Sequence, residues 1–134
     1  MVSLTVDVIL SCPAGVLLVE RRYPPFEACF ALPGGFVEIH ETTEQACVRE
    51  LREETGLALQ EEVLRLFGVY STPNRDPRGP TVSIVYSANL LDQRSLSPGS
   101  DAKSARYIAD WRSLELAFDH LQILSDFFQM GEDR

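Results

Sequence analysis

Three glutamates in one five-residue stretch, Glu50, Glu53 and Glu54, have the clearest capacity for chemistry in this chain. If the stretch is helical, Glu53 and Glu54 lie three and four positions beyond Glu50 and share one face of the helix. Like charges at this spacing destabilise a helix unless water or a cation compensates them. Because Mg²⁺ prefers oxygen ligands and usually binds a few carboxylates together with substrate phosphates, the spacing indicates either a solvated acidic face or a divalent-metal site.

The residues around the glutamates predict the helix itself, over Thr43–Thr55. Thr42 is a suitable N-cap, and Gln45 three positions later completes the pattern of a capping box. Gly56 is suited to end the helix, because glycine adopts the left-handed conformation at no steric cost. Beside the acidic face runs an apolar stripe that can be buried against a sheet, formed by Cys47, Val48 and Leu51.

A longer pattern encloses these glutamates and covers residues 35–57. It consists of Gly35, five residues, Glu41, seven residues, Arg49-Glu50-Leu51, one residue, Glu53-Glu54, one residue and Gly56-Leu57. This string resembles the Nudix box, and every fixed position of that pattern is filled. A match over so many spaced positions is far more specific than a short motif. The acidic face is therefore predicted to be the functional site of a Nudix hydrolase.

The resemblance implies both a fold and a ligand set. The fold is an α/β/α sandwich with a mixed β-sheet between helices, and residues 1–134 form a single domain. The implied cofactor is Mg²⁺, with Mn²⁺ as the alternative, bound by Glu50, Glu53, Glu54 and the carbonyl of Gly35. Such a cation would neutralise charge on a pyrophosphate and acidify the attacking water.

The same resemblance implies roles in proton transfer and orientation. Glu53 or Glu54 would accept the proton of the attacking water, with Arg49 as the third catalytic residue. Some relatives use an acid outside the box, for which Asp101 is the candidate, with an ordinary surface acid as the alternative. Glu41 and Arg49 are expected to pair, joining the loop to the helix and orienting the carboxylates.

Two further segments indicate a subgroup of the family. Tyr70–Ser83 resembles a segment of ADP-ribose pyrophosphatases, and Leu116–His120 is similar to the start of their C-terminal helix. The resemblance implies hydrolysis of the pyrophosphate bond in a nucleoside diphosphate linked to another moiety, here ADP-ribose to AMP and ribose 5-phosphate. The alternatives are a nucleoside triphosphate pyrophosphohydrolase, including one for oxidised nucleotides, and a non-catalytic nucleotide-sugar sensor. The complete carboxylate set argues against the sensor.

The candidate substrate-binding residues are three arginines and one aromatic residue, namely Arg21, Arg75, Arg78 and Phe30. Tyr23 and Tyr70 are further candidates for stacking on the substrate. Guanidinium groups bind phosphate oxygens through paired hydrogen bonds, and an aromatic ring can stack on adenine. The ordinary alternatives are a solvated strand end for Arg21, pairing with Asp76 for one of the two loop arginines, and core or loop packing for the aromatic residues.

Two residues depart from the pattern of relatives. His40 stands where relatives often have glycine, and because histidine tolerates left-handed geometry, we expect an altered loop rather than a broken site. Pro80 stands where relatives often have histidine, and it removes an N–H donor from the loop that follows Tyr70. The second departure bears on the choice of substrate and leaves hydrolysis untouched.

The rest of the pattern predicts the elements that carry this site. Apolar alternation and β-branched runs predict strands at 4–10, 16–19, 63–72, 81–88 and 105–108, the first two as a hairpin. In the first strand, Asp7 falls opposite the buried face. We predict a loop over 23–31, a brief helix over 111–115 capped by Asp110, and a final helix over 120–130 with an Asp119–Gln122 cap pair. This alternation favours a mixed sheet between helices.

Length and composition limit the number of domains, the possible partners and the cellular compartment. The 134 residues suit one domain, and the formal net charge of −8 argues against nucleic acid as a partner and leaves a small nucleotide held through a metal. The 3 cysteines favour free thiols in a reducing cytoplasm over a disulfide framework or a zinc site. No stretch resembles a signal peptide or a membrane span. A homodimer is expected by analogy with relatives alone.

Overall fold

A mixed sheet of seven strands carries the acidic helix in the computed structural model, which describes residues 1–132. The strands are β1 (Ser3–Cys12), β2 (Gly15–Arg21), β3 (Phe30–Ala31), β4 (Gly34–Phe36), β5 (Arg65–Tyr70), β6 (Thr81–Asn89) and β7 (Ala102–Ile108). The helices are α1 (Thr43–Thr55) and α2 (His120–Glu132), with short 3₁₀ turns at Glu61–Val63 and Trp111–Ser113.

The sheet combines a parallel centre with antiparallel neighbours. Its main path runs β3-β2-β1-β6-β5, while β4 pairs with β1 and β7 pairs with β2. β1 and β6 are parallel, β1 and β2 form the predicted antiparallel hairpin, and β5 is antiparallel to β6. The prediction of a mixed sheet is therefore confirmed.

Helices cover both faces of this sheet, because β1 alternates between two buried sides. Val6, Val8 and Leu10 pack with α1, whose Ala46, Cys47 and Leu51 are fully buried. Ile9 faces the other way and packs in a second cluster that includes Ile123 and Leu124 of α2. The α/β/α sandwich is confirmed, and the site described below opens at the end of β1 that pairs with β4.

The capping residues of α1 behave as predicted. The Thr42 hydroxyl accepts the Gln45 N–H at 3.0 Å, and the Gln45 side chain accepts the Thr42 N–H at 2.8 Å. Gly56 adopts the left-handed conformation with φ 77° and donates its N–H to the Arg52 carbonyl. These caps fix both ends of the helix and therefore the direction of its acidic face.

Several boundaries differ from the predictions because pairing partners are distant in sequence. Gly34–Phe36, for which no strand was predicted, forms β4 against β1, and the predicted loop over 23–31 ends in β3 against β2. β7 begins earlier than predicted, at Ala102, and β5 begins only after the turn Glu61–Val63. Asp110 makes no side-chain cap to the turn Trp111–Ser113.

The predicted Asp119–Gln122 cap pair is also wrong. The Asp119 carboxylate accepts hydrogen bonds from Arg75, and the Gln122 amide donates to Asp126 within α2. The three cysteines are free thiols, and Cys47 is buried on the side of α1 that packs against the sheet. Across residues 1–132, no helix has both the length and the apolar character needed to cross a bilayer.

Candidate functional site

A cleft of about 490 Å³ opens between α1, β1, β4 and the loops at the end of the sheet. Its lining includes the acidic residues Asp7, Glu38, Glu50 and Glu54 and the arginines Arg21, Arg22, Arg75 and Arg78. Asp101 also lines it, from the loop before β7. A cleft lined by both acidic and basic side chains can bind a cation and an anion side by side.

Glu50 and Glu54 form the acidic wall and lie one helical turn apart on α1. The Gly34 N–H donates to Glu54 at 3.3 Å, and burial together with the neighbouring charge of Glu50 raises the pKa of Glu54 well above its usual value. Burial likewise raises the pKa of Glu50, against the lowering effect of Arg49. Two partly desolvated carboxylates side by side repel each other, so this wall favours the binding of a positive ion.

Arg49 ties the glutamates of the box together. Its guanidinium donates to both carboxylate oxygens of Glu41, at 3.0 and 2.6 Å, and to the Phe36 carbonyl at 2.9 Å. The same group donates to Glu50 at 2.9 Å and to Glu53 at 3.2 Å. These hydrogen bonds lower the pKa of Glu41 and raise that of Arg49. The expected pairing of Glu41 with Arg49 is present, and Arg49 also orients Glu50 through a direct hydrogen bond.

Glu53 differs from the other two glutamates in its position. Its side chain is 59% exposed and is anchored to Arg49, and it is not among the residues that line the cleft. The shared arginine keeps its carboxylate beside that of Glu50, at the rim of the site. Its predicted role as a metal ligand or proton acceptor stays a prediction.

Gly35 is confined by the carboxylate of Glu50. A Cβ atom built at Gly35 would collide with the Glu50 carboxylate, so the absent side chain leaves the space that this carboxylate fills. Gly35 lies on β4 opposite Val6 of β1. The helix and the strand therefore approach each other closely enough for the glycine backbone and the glutamate to share one site.

We expect Gly35→Ala to lower kcat/KM by about tenfold or more, because the new methyl group displaces the Glu50 carboxylate from its place. The protein should remain folded, since the colliding atoms belong to a side chain that can rotate. Steady-state kinetics and a thermal melt measure both quantities. Gly68→Ala is the matched control: its new Cβ meets only Tyr70, at 3.7 Å. Equal activity of the two variants would contradict this placement of Glu50.

Arg75 and Arg78 line the cleft but are held by carboxylates. Arg75 donates to both oxygens of Asp119, at 2.9 and 2.6 Å, and to the Thr81 hydroxyl at 2.9 Å. Arg78 donates to both oxygens of Asp76, which is the pairing considered above as the ordinary alternative. Burial opposes ionisation of Asp76, but the hydrogen bonds and charge of Arg78 lower its pKa overall.

Arg21 is the partly buried arginine whose guanidinium has no carboxylate partner among the residues that the structure describes. Its Nε–H donates to the Pro25 carbonyl at 2.7 Å, and its guanidinium lies 5.1 Å from the centre of the Phe118 ring. Arg78 lies over the same ring at 5.4 Å. Burial and the charge of Arg78 lower the pKa of Arg21, so an anion bound here relieves an unfavourable charge.

The aromatic candidates divide between cleft and core. Tyr23 lines the cleft and is 57% exposed, whereas Tyr70 donates to Asp126 of α2 at 2.7 Å. Phe30 does not line the cleft: it packs in the cluster around α2, with Arg106 over its ring. The geometry therefore does not favour the predicted substrate contact of Phe30, and it brings Phe36 to the cleft in its place.

Sequence reasoning missed Asp7, His120 and Phe118. Asp7 was expected opposite the buried face of β1, yet it is 7% exposed because α2 covers that face as well. His120 is 3% exposed and lines the cleft from the first turn of α2. An acid within an apolar strand was the available signal for Asp7, whereas His120 and Phe118 reach the site only through long-range packing.

The donor chemistry of the acidic wall fits a hard divalent cation. Among residues 1–132, no three His, Cys, Asp or Glu side chains meet closely enough to form a complete metal centre by themselves. Glu50 and Glu54 are nonetheless adjacent, partly desolvated oxygen donors that repel each other. Mg²⁺-type ions commonly take one or two carboxylates and complete their shell with water and substrate phosphate, which matches this wall.

Comparisons with known proteins agree with the box. The NUDIX domain family matches residues 1–129. The chain is 47% identical, over 128 residues, to an ADP-ribose pyrophosphatase of Methanocaldococcus jannaschii, a match that covers 95% of this chain and 73% of that protein.

Solved structures give the same result. A bifunctional NMN adenylyltransferase/ADP-ribose pyrophosphatase of Francisella tularensis, complexed with AMP and a Mn ion, matches with a TM-score of 0.89 at 30% identity, over 97% of this chain and 42% of that one. The Nudix domain of Shewanella oneidensis NrtR, complexed with ADP-ribose, matches with a TM-score of 0.87 at 29% identity, over 97% and 88%. The chain thus spans less than half of the Francisella protein. Its filled box, its sandwich fold and these matches show that the chain belongs to the NUDIX domain family and is a Nudix hydrolase.

Proposed function

We propose that this chain hydrolyses ADP-ribose to AMP and ribose 5-phosphate. The observation that carries the proposal is the cleft itself, which is lined by two half-buried carboxylates and by an arginine that lacks a carboxylate partner. A diphosphate held near these carboxylates with a divalent cation could also be contacted by the guanidinium of Arg21. The Methanocaldococcus relative, which is an ADP-ribose pyrophosphatase, and the Shewanella domain, which was solved with ADP-ribose, support this choice of substrate.

The proposed cofactor is Mg²⁺, with Mn²⁺ as the alternative. Glu50 and Glu54 would hold it, with Glu53 and the carbonyl of Gly35 as further oxygen donors. Bound there, the cation supplies neutralisation of phosphate charge and acidification of water. Removal of divalent ions with EDTA should therefore abolish turnover, and either ion should restore it.

The chain's own residues supply orientation and proton transfer. Arg49 holds Glu50 and Glu53 by hydrogen bonds, so neither carboxylate needs to reorganise when substrate binds. Three acids remain candidates for the proton acceptor: Glu53 at the rim, Glu54 in the wall and Asp101 in the loop. Comparison of the pH dependence of kcat in Glu53→Gln and Asp101→Asn identifies which of these carboxylates accepts the proton.

Arg21→Ala should raise KM for ADP-ribose by about tenfold and leave kcat within about threefold, because the unpaired guanidinium contributes to binding more than to the chemical step. Arg78→Ala should have a smaller effect on KM, since Asp76 already compensates its charge. Steady-state kinetics measure both constants. Arg65→Ala, at an exposed position of β5, is the control. An Arg21→Ala enzyme with an unaltered KM would contradict the assignment of this residue to the substrate.

The test of the proposed function is a substrate panel with Mg²⁺ and analysis of the products. ADP-ribose should yield AMP and ribose 5-phosphate. A nucleoside triphosphate pyrophosphohydrolase would instead release a nucleoside monophosphate and pyrophosphate. A sensor would bind ADP-ribose, in a calorimetric titration, without turning it over. Either of the last two results would overturn the proposal.

We also propose a domain organisation, an oligomeric state and a cellular location for this enzyme. Residues 1–134 act as a single catalytic domain, the enzyme is a homodimer by analogy with its relatives, and it works in the cytoplasm on a small nucleotide without nucleic-acid or membrane partners. The free cysteines suit a reducing compartment. Light scattering at a known concentration tests the dimer.

A further inference from the structure

His120 is a buried residue at the start of α2 whose imidazole faces the cleft floor. The Leu32 N–H donates to its Nδ1 atom at 3.0 Å. A backbone amide can only donate, so Nδ1 carries no proton in this arrangement. The ring is therefore neutral, with its proton on Nε2.

The other side of the ring faces Asp7. The Nε2 atom lies 3.4 Å from Oδ1 of Asp7, an electrostatic contact longer than a normal hydrogen bond. The second oxygen of Asp7 accepts a hydrogen bond from the hydroxyl of Ser83, which is fully buried on β6. The Asp7 carboxylate is thus held from two sides beneath the cleft.

Of the two partners of His120, Leu32 belongs to the backbone that precedes the box, and Asp7 packs against that backbone. Asp7 lies opposite Gly34 in the β1–β4 ladder, and its Oδ1 is only 2.7 Å from the position that a Cβ of Gly34 would take. Leu32 is two residues earlier, and Pro33 between them restricts Leu32 to extended geometry. The segment from Leu32 to Gly34 is therefore held at both ends by the network around His120.

This segment is in direct contact with the acidic wall. The Gly34 N–H donates to Glu54, and the next residue, Gly35, packs against the Glu50 carboxylate. A displacement of Leu32 or Gly34 would therefore move the backbone that both carboxylates rest on. The contacts run from the first residue of α2, through Leu32 and Asp7, to the acidic face of α1.

We propose that His120, as the neutral Nε2–H tautomer, and Asp7 are positioning residues for hydrolysis. They hold the Leu32–Gly35 backbone against Glu50 and Glu54, so that the start of α2 is part of the active site. The kinetic part of this inference rests on the proposed function, whereas the tautomer and the Leu32 hydrogen bond do not.

The tautomer is tested by long-range ¹⁵N–¹H correlation spectra of His40→Gln. The chain has only 2 histidines, so this variant leaves His120 as the single imidazole and does not alter its network. We expect the pattern of a neutral ring protonated on Nε2, together with slow exchange of the Leu32 amide proton. A ring protonated on Nδ1, or on both nitrogens near neutral pH, would overturn the inference whatever the substrate is.

The positioning role is tested by two matched substitutions. His120→Asn keeps an acceptor near the place of Nδ1, and His120→Gln places its amide near Nε2 and lacks that acceptor. We expect His120→Asn to retain kcat within about threefold, and His120→Gln and His120→Ala to lose about tenfold or more with KM within about twofold. Thermal melts establish that each variant is folded.

Asp7→Asn, which keeps the shape of the side chain, should lower kcat by a similar factor because it removes the charge facing Nε2. Equal losses of kcat in His120→Asn and His120→Gln, or a rise in KM with kcat unchanged, would contradict positioning through Leu32. If the unmodified protein does not hydrolyse ADP-ribose, the proposed function fails, and the spectra of His40→Gln still decide whether His120 has the inferred tautomer and holds Leu32.

Discussion

Glu54→Gln is expected to lower kcat for ADP-ribose by about 100-fold or more with Mg²⁺ present, because it removes one of the two charges of the acidic wall. The amide can still accept the Gly34 N–H, so the local backbone should be preserved. Steady-state kinetics measure the loss. Glu62→Gln, an exposed acid outside the cleft, is the matched control and should retain full activity.

The same substitution should stabilise the metal-free protein. The pKa of Glu54 is raised in the folded state, so its ionised form costs stability near neutral pH, and this cost appears as pH rises from the unfolded pKa through the folded one. Glutamine removes the cost, and Tm in EDTA should rise by about 2–4 °C. A variant that loses activity and also melts earlier than the unmodified protein in EDTA would contradict the description of Glu54 as a half-buried acid that is destabilised by the neighbouring Glu50.

Arg49→Ala is expected to have a large effect on both activity and stability. It removes the donor shared by Glu41, Glu50 and Glu53, and the Phe36 carbonyl loses its side-chain partner. We expect kcat to fall by about 100-fold and the free energy of unfolding by about 2 kcal/mol or more, since mutually repelling carboxylates are left behind. Kinetics and denaturant unfolding measure the two effects.

Two further variants separate charge from geometry at this position. Arg49→Lys keeps the charge but cannot reach several carboxylates through a planar fork, so it should recover stability more than activity. Arg52→Ala removes an exposed arginine of the same helix and should change neither by much. If Arg52→Ala and Arg49→Ala lose the same activity, Arg49 has no special role in orienting the glutamates.

The sequence was sufficient for the bounds and caps of α1, although the same reasoning failed for the Asp119–Gln122 cap pair of α2. The bounds of α1, the capping box at Thr42 and the left-handed Gly56 all follow from residues within one turn of each other, and the structure reproduces them. The contact of Arg49 with Glu41, which joins the loop to the helix, was expected from the resemblance to the Nudix box and not from helical spacing. Contacts between residues three or four positions apart on a helix are determined by the helix itself, so they can be predicted without knowledge of the tertiary packing.

Features that depend on distant pairing were not predictable. β4 exists because β1 supplies its partner, and a three-residue segment rich in glycine gives no strand signal of its own. Asp7 looked exposed because alternation shows only which residues share a face, and a helix distant in sequence buries its side. Phe30 was a candidate because an aromatic ring can stack on adenine, but strand pairing with β2 and packing near α2 place it outside the cleft lining.

The most direct test of the central claim is a titration with Mn²⁺ followed by electron paramagnetic resonance of the free ion. The unmodified protein should bind Mn²⁺, Glu54→Gln and Glu50→Gln should each weaken binding by about tenfold or more, and Arg52→Ala should bind as the unmodified protein does. If the Glu50 and Glu54 variants bind Mn²⁺ as tightly as the unmodified chain, this pair of carboxylates is not the metal site, and the account of hydrolysis built on it is wrong.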